Sequence, residues 1–314
     1  MAAADILSNV RVWIIMGVIC AIIIGPIDDF TSTLIIFVLI IQMTLSMENL
    51  SFDKKNLNDN KKPIMYSVIA CFGISTATAL IMGSFFIADH PEIWNGWVML
   101  AAVPCAVSVV TMSFFIKGNM TMCVLSLAVI YFLALILTPL ITTIFMKDVE
   151  GTVSILKIFS YVVLFVAVPI GLSFPMKKVK IKKTTRMTLI NIMLFFLVLF
   201  SLGQNREYLF SETTVVLMVA AACVVRIFLV SFVMLYFMKK NSSRENSMVY
   251  IPMAVWKNSG LGVTLCIVLF SGTSGAVIPC VISLLIELLW FAVLSRYIEK
   301  VWPSTASVPN PSDG

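Results

Sequence analysis

The sequence predicts an all-α polytopic membrane protein of about ten transmembrane helices in two inverted five-helix repeats, with helices 4 and 9 discontinuous and crossing. Three observations predict it: the scarcity of charge, a succession of apolar stretches of spanning length, and a helix-breaking cluster in each half. The chain has 314 residues, 60% hydrophobic and 12% charged, with a mean hydropathy of +1.02. Soluble domains are about half apolar and about one quarter charged. Water cannot solvate a surface drawn from this composition, so the solvent is largely lipid. An α-helical span needs about 20 apolar residues. Ten stretches qualify in the sequence: 9–25, 30–48, 63–87, 95–116, 120–146, 152–174, 187–204, 212–238, 247–270 and 274–297. The first could pass for a signal-peptide core, but no small-residue cleavage site separates it from the second, and it reads as the first helix of the bundle. No stretch reads as a soluble domain, and 301–314 is a polar tail.

Orientation follows from lysine and arginine in the short loops. Lys54, Lys55, Lys61 and Lys62 follow the second stretch. Lys177, Lys178, Lys180, Lys182, Lys183 and Arg186 follow the sixth, and Lys239, Lys240 and Arg244 the eighth. The opposite loops hold acids: Asp28, Asp29, Asp89, Glu92, Asp148 and Glu150. This asymmetry places both termini in the cytoplasm and the chain, multi-pass, in the cell membrane. The net charge of +6 is therefore topogenic, and no nucleic-acid partner is expected. The Lys177–Arg186 run also reads as a patch for anionic lipid. All seven cysteines lie inside apolar runs without a CxxC, and His90 is the single histidine. Metal, haem and disulfide frameworks have no support in that pattern.

The two halves resemble each other weakly. The stretch from Ala102 (AVPCAVSVVTMSFFIKGN) and that from Ala254 (AVWKNSGLGVTLCIVLFSG) align at an offset of 154 residues, which sets Pro104 against Asn258, Cys105 against Ser259, and Lys117-Gly118 against Ser271-Gly272. Five spans per half is an odd number, so the second half, 151–300, is inverted relative to the first, 1–150; such repeats are common in secondary transporters. Pro104 interrupts the fourth stretch by removing a backbone donor. Asn258-Ser259-Gly260-Leu261-Gly262 interrupts the ninth through low helix propensity. Matched interruptions point to a binding site at the membrane midplane, formed here by Pro104, Cys105, Ala106, Ser108, Lys257, Asn258, Ser259 and Gly260.

Three ionisable residues sit deep in late spans: Arg226, Lys257 and Glu287. Each lies about a dozen residues from either end, roughly 18 Å at the helical rise. A charge there costs roughly 2.5–3.5 kcal/mol on insertion scales and faces a cavity or a partner. Arg226 and Glu287 could pair on neighbouring helices. Lys257, beside the break, has three open roles: it could bind an anionic group of a substrate, exchange a proton when desolvated, or stand as a fixed cation that neutralises Glu287 or caps helix carbonyls.

Pro104-Cys105-Ala106-Val107-Ser108, Lys117-Gly118-Asn119, Thr138-Pro139-Leu140 and Asn258-Ser259-Gly260-Leu261-Gly262 together resemble the bile acid:sodium symporter family and its superfamily, which includes arsenite exporters and auxin-efflux carriers. The resemblance implies a panel domain and a core domain, each drawn from both repeats, with the two broken helices crossing in the core. It implies alternating access and, in many members, sodium-driven uptake of organic anions. Four positions depart from the pattern. Where the symporters carry a Ser-Asn pair this chain has Val109 and Val110, and where they carry a glutamate and a glutamine it has Met253 and Lys257. Hard cations prefer oxygen ligands, which these side chains do not offer. The expectation is a secondary transporter of a small organic solute, an anion by virtue of the lysine, without sodium ligation by side chains. No resident cofactor is expected. Sodium or a proton is left as the coupling ion, and the lipid bilayer and a homodimer as partners. The alternatives are a sodium-coupled symporter using backbone ligands and an arsenite or auxin-type efflux carrier, the former of these with Cys105 as a thiolate ligand. An enzyme is disfavoured because paired membrane aspartates, HExxH and GxSxG are absent from the sequence, and a channel because the polar residues cluster at the breaks.

Overall fold

The computed structural model describes residues 10–24, 30–47, 60–146, 155–179, 181–270 and 275–303, and these are helical, with no strand among them. Helices α1 (Val10–Ile24) and α2 (Phe30–Met47) open the chain. Helix α3 (Lys61–Phe86) carries a π-helical turn at Ile69–Ser75. Helices α4 (Pro91–Ala102) and α5 (Val109–Phe115) are separated by an irregular segment, and α6 (Met120–Phe145) follows. Helix α7 (155–176) holds a second π turn at Val163–Ala167. Then come α8 (Lys183–Gln204), the short α9 (Arg206–Ser211) and α10 (Thr213–Asn241). Helices α11 (Arg244–Val255) and α12 (Ser259–Leu269) are split by three residues, and α13 (Ile278–Val301) closes the described chain.

Local chemistry sets several of these boundaries. Helix α4 starts with Pro91, whose fixed φ suits a first turn, and stops ahead of Pro104. The residue before a proline is steered out of the helical region, and Val103 is extended at φ −69, ψ 152. The Asn119 side chain accepts from the Met122 N–H at 3.1 Å and starts α6, and the Asn258 side chain accepts from the Leu261 N–H at 3.1 Å and starts α12. Such caps stabilise a helix start by about 1 kcal/mol. The Ser243 hydroxyl does the same for α11.

Among the described residues, five helices are long and apolar enough to cross a membrane, and a sixth is counted if Gly275–Phe291 and Val293–Val301, bent by 40°, form one span. The protein is therefore a membrane-spanning protein. Of the remaining expected spans, the first two are described over 15 and 18 residues, α1 and α2, each bordered by residues outside those described, and the fourth and ninth stretches are each divided in two. The large exposed apolar side chains of α10, among them Leu217, Val225 and Phe237, suit a lipid-facing surface. Helices α11 and α12, by contrast, are almost wholly buried, as is α4 from Ile93 to Ala102. A helix that is apolar all round belongs inside a bundle.

Helix α8 packs along α1 and α2, and α7 along α2. Helices α3, α4, α6, α10, α11 and α13 pack on one another, and α12 meets both groups, touching α13 and α4 on one side and α2, α7 and α8 on the other. One end of the bundle is basic. There Arg244 donates to the Ile116 carbonyl (3.1 Å), the Trp302 carbonyl (2.8 Å) and Glu299 (3.0 Å), and Lys239 donates to the Val301 carbonyl (2.8 Å). At the opposite end the Tyr208 hydroxyl donates to Glu92 at 3.1 Å. Burial, and then the Glu92 carboxylate, hold that phenol well above its usual range. Lys54, Lys55, Lys180, Asp28, Asp29, Asp148, Glu150, Ser271, Gly272 and the tail from 304 lie outside the described residues.

Helix α4 reaches the 275–277 turn at Gly96. A Cβ added there would overlap the Ala276 carbonyl, a backbone atom that cannot swing aside, whereas a Cβ at Gly171 on α7 would meet nothing within 4 Å. We expect Gly96→Ala to lower the melting temperature of the purified protein, in line with overpacking costs of about 1–3 kcal/mol, and Gly171→Ala to leave it unchanged or raised. Equal melting temperatures for the two variants would contradict this packing.

Candidate functional site

The two interrupted stretches meet. Residues Val103–Ser108 leave α4, and Trp256–Asn258 leave α11, and the two segments run antiparallel with Cys105 opposite Lys257. The Ala106 N–H donates to the Trp256 carbonyl at 3.0 Å, and the Asn258 N–H donates to the Pro104 carbonyl at 2.7 Å. Unwound backbone is tolerated at membrane depth only where protein or water satisfies it, and here each break satisfies the other. These two bonds interchange when 152 is added to each residue number of the first segment. That interchange is a property of the antiparallel pair centred on Cys105 and Lys257.

The end of α4 is capped from several directions. Lys257 is 1% exposed, and its ammonium donates to the carbonyls of Cys71 (3.0 Å), Ala101 (2.9 Å) and Val103 (2.9 Å) and to the Thr76 hydroxyl (3.2 Å). The Thr76 hydroxyl donates to Ala101 O at 2.8 Å, and the Thr138 hydroxyl to Ala102 O at 2.8 Å. The last carbonyls of a helix lack intrahelical donors and carry the negative end of its dipole, which favours a cation. Lys257 supplies that cation, and it also stands 5.2 Å from the Phe72 ring centroid. An ammonium has three protons, and four oxygens surround this one. The geometry favours the fixed-cation role for Lys257 over direct contact with a solute.

Arg226 and Glu287 stand 2.6 Å apart with side chains 0% and 1% exposed. Ser283 links them, its hydroxyl accepting from Arg226 at 2.8 Å and donating to Glu287 at 2.8 Å. The other arm of the guanidinium, Nη1, faces the Val255 carbonyl at 3.5 Å, and the Trp256 indole donates to the Glu287 main-chain carbonyl at 2.9 Å. The ion pair is thereby tied to the end of α11, as Lys257 is to the end of α4.

Asn258 does three jobs. Its oxygen caps α12, and its amide nitrogen reaches the Tyr131 hydroxyl at 2.8 Å and the Met43 sulfur at 3.3 Å. Met43 belongs to α2, and Leu197 of α8 lies where a Cβ on Gly260 would meet it at 3.5 Å. The start of α12 is therefore the place where the crossing faces the α2–α8 group. Ser259 is buried, with its hydroxyl 3.5 Å from the Lys257 carbonyl. Pro104 and Cys105 are buried, Ala106 is half-buried and Ser108 exposed. Val109 and Met253 are fully buried apolar groups and Val110 is half-buried, so none of the three brings a side-chain oxygen to the crossing. Among the described residues no cluster of three metal-ligating side chains exists; the Cys105 thiol is hydrogen-bonded to that of Cys71.

Sequence reasoning did not place Cys71, Thr76, Tyr131 or Met43 at this site, and it named Thr138 only within the Thr138-Pro139-Leu140 resemblance, without a role. Cys71 lies within a π turn and Thr76 directly follows it, and no local residue pattern announced that turn.

Removing one member of a buried ion pair leaves the other charge uncompensated and costs about 3–5 kcal/mol. Arg226→Met and Glu287→Gln are each expected to reduce folded yield sharply. The pair Arg226→Met with Glu287→Leu should recover most of the loss, because replacing both charges by apolar groups is often neutral. A double variant no better than either single one would argue against direct pairing.

A sequence model of the sodium bile acid symporter family matches residues 33–212, more than half of the chain. The matched residues take in the first break with Val109 and Val110, and end before Arg226, Lys257 and Glu287. No curated protein matches the chain.

Proposed function

The chain belongs to the sodium bile acid symporter family, and from that premise we propose that it is a secondary transporter that carries a small organic anion across the cell membrane by alternating access. The observation that carries the reading is the crossing itself, where two broken helices meet amid protein and present Asn258, Ser259 and Gly260 toward a separate group of helices. Helix α4 has 12 residues and α12 has 11, about 18 Å and about 16 Å at the helical rise. Neither covers a hydrocarbon core of about 30 Å. In this reading α4 with α5, and α11 with α12, each count as one crossing, which gives ten spans in two inverted halves, 1–150 and 151–300. Helices α1, α2, α7 and α8 form the panel and the rest form the core. The basic end of the bundle lies in the cytoplasm with both termini.

An anion is favoured by charge. The Arg226 charge is matched by Glu287 at 2.6 Å, while the Lys257 ammonium is held by neutral oxygens. The crossing therefore keeps a positive potential, and a low-dielectric surround strengthens it. Sodium coupling, which the family's name carries, fits the residues poorly: Val109, Val110 and Met253 offer no side-chain oxygen, and Lys257 offers a cation. The competing reading is a sodium-coupled symporter, favoured by the family match.

Purified protein in proteoliposomes separates these. Saturable uptake of an organic acid with counterflow is expected, at the same rate with and without an inward sodium gradient. A strict sodium requirement would establish the competing reading, and flux that neither saturates nor shows counterflow would remove the carrier reading.

A further inference from the structure

Lys257 is buried at the crossing, yet no carboxylate lies within ion-pair distance of its ammonium among the described residues. Its partners are three main-chain carbonyls and one hydroxyl at 2.9–3.2 Å. They come from two helices: Cys71 lies within the π turn of α3 and Thr76 directly follows it, and Ala101 and Val103 close α4. Neutral hard oxygens converging on one point are the donor set that a small monovalent or divalent cation takes. This cage exists through backbone geometry, because two of its oxygens are the final carbonyls of a broken helix and have no helical donor ahead of them. A donor must satisfy them where water does not, and Lys257 is a cationic one.

The second break offers an independent comparison. Val255, the last residue of α11, turns its carbonyl toward Arg226 at 3.5 Å. Each broken helix thus ends facing a cation that the protein itself supplies. The two cations differ in kind, because Arg226 is neutralised by Glu287 and Lys257 is not.

We infer that Lys257 is a tethered cation standing where a dissociable one would stand: its ammonium fills the oxygen cage at the end of α4, so the chain carries its solute without binding a free coupling cation there, and removing the side chain opens that cage to a small monovalent cation. The transport arm of this inference rests on the transporter reading; the cage itself is tested without transport.

The test uses the purified full chain as wild type, Lys257→Ala and Lys257→Met. The first measurement is the melting temperature in n-propylammonium chloride, sodium chloride, choline chloride as a bulky control, and n-propanol as a neutral mimic. Wild type should respond equally to the three salts. Lys257→Ala should melt lower and be restored saturably by propylammonium, not by choline or propanol, because only a ligand of the folded state raises its stability by mass action. Lys257→Met, which fills the stem volume without charge, should melt lower and respond to none of them. The second measurement is uptake in proteoliposomes: at least a tenfold loss in both variants, recovered in Lys257→Ala alone when propylammonium is present. Wild-type uptake and melting in Lys257→Met would overturn the inference, and so would a Lys257→Ala protein that no cation stabilises. If Lys257→Ala fails to fold even with propylammonium, Lys257→Met decides: lost uptake in folded protein supports the inference, and retained uptake overturns it. Thermal rescue in a protein that transports no organic acid would sink the transporter reading and leave the cage standing. Saturable transport without rescue would sink the cage alone.

Discussion

Everything at the centre of this bundle follows from one requirement, that backbone polar groups removed from water find partners. Pro104 and the Trp256–Asn258 segment interrupt two helices inside the protein. Their carbonyls and amides meet across the crossing in two hydrogen bonds of 3.0 and 2.7 Å. The neighbouring helices supply what those two bonds leave open: Thr138 for the Ala102 carbonyl, Thr76 and Lys257 for Ala101, and Lys257 for Val103. A buried network of this kind is stable only when every member is satisfied. That explains why α4, α11 and α12 are enclosed on all sides while α10 turns large apolar side chains outward.

The charged residues obey the same logic with different outcomes. Arg226 and Glu287 neutralise each other and use their remaining polar atoms on Ser283, Val255 and Trp256. That pair has a structural character: it joins α10 to α13 and braces the end of α11. Lys257 answers neutral oxygens, three carbonyls and one hydroxyl, and its charge faces the dipole of α4, about half an elementary charge at a helix terminus. The remaining potential is a property of the crossing, and an anion approaching Asn258 and Gly260 from the side of α2 and α8 would sense it.

The sequence revealed the apolar stretches, the positions of both breaks and the three deep charges, because each depends on residue type over a short window. Pro104 removes a backbone donor and steers Val103 out of the helical region, and a span-length apolar run has few other fates in this composition. What escaped was geometry that depends on backbone register. The π turn at Ile69–Ser75 sets where Cys71 and Thr76 stand relative to Lys257, and its residues read as an ordinary apolar helix. An offset of 154 sets Pro104 against Asn258, whereas the backbone pairing across the crossing sets Cys105 against Lys257, a contact that residue identity in the two stretches did not announce. The direction of Lys257 was equally hidden, since a four-carbon stem beside a break can reach a cavity or a helix end, and only the disposition of α3 and α4 decides between them.

A tethered cation has consequences for coupling that a dissociable ion does not. A ligand shifts a conformational equilibrium only through its differential affinity for the two states, and its leverage grows with concentration. That dependence is how an ion gradient drives a solute. An ammonium fixed to the chain has no gradient. If it keeps its oxygen cage in both inward-facing and outward-facing states, it stabilises both equally and biases neither. If one state opens the cage, the bias is a constant of the protein, the same at every external salt concentration. In either case the solute's own gradient drives only flow toward equality, and the free energy for concentrating the solute comes from another ion or solute, bound elsewhere, that moves down its own gradient. The position of Lys257 therefore bears on energetics more than on recognition: it converts a site suited to a cation ligand into a permanent part of the fold.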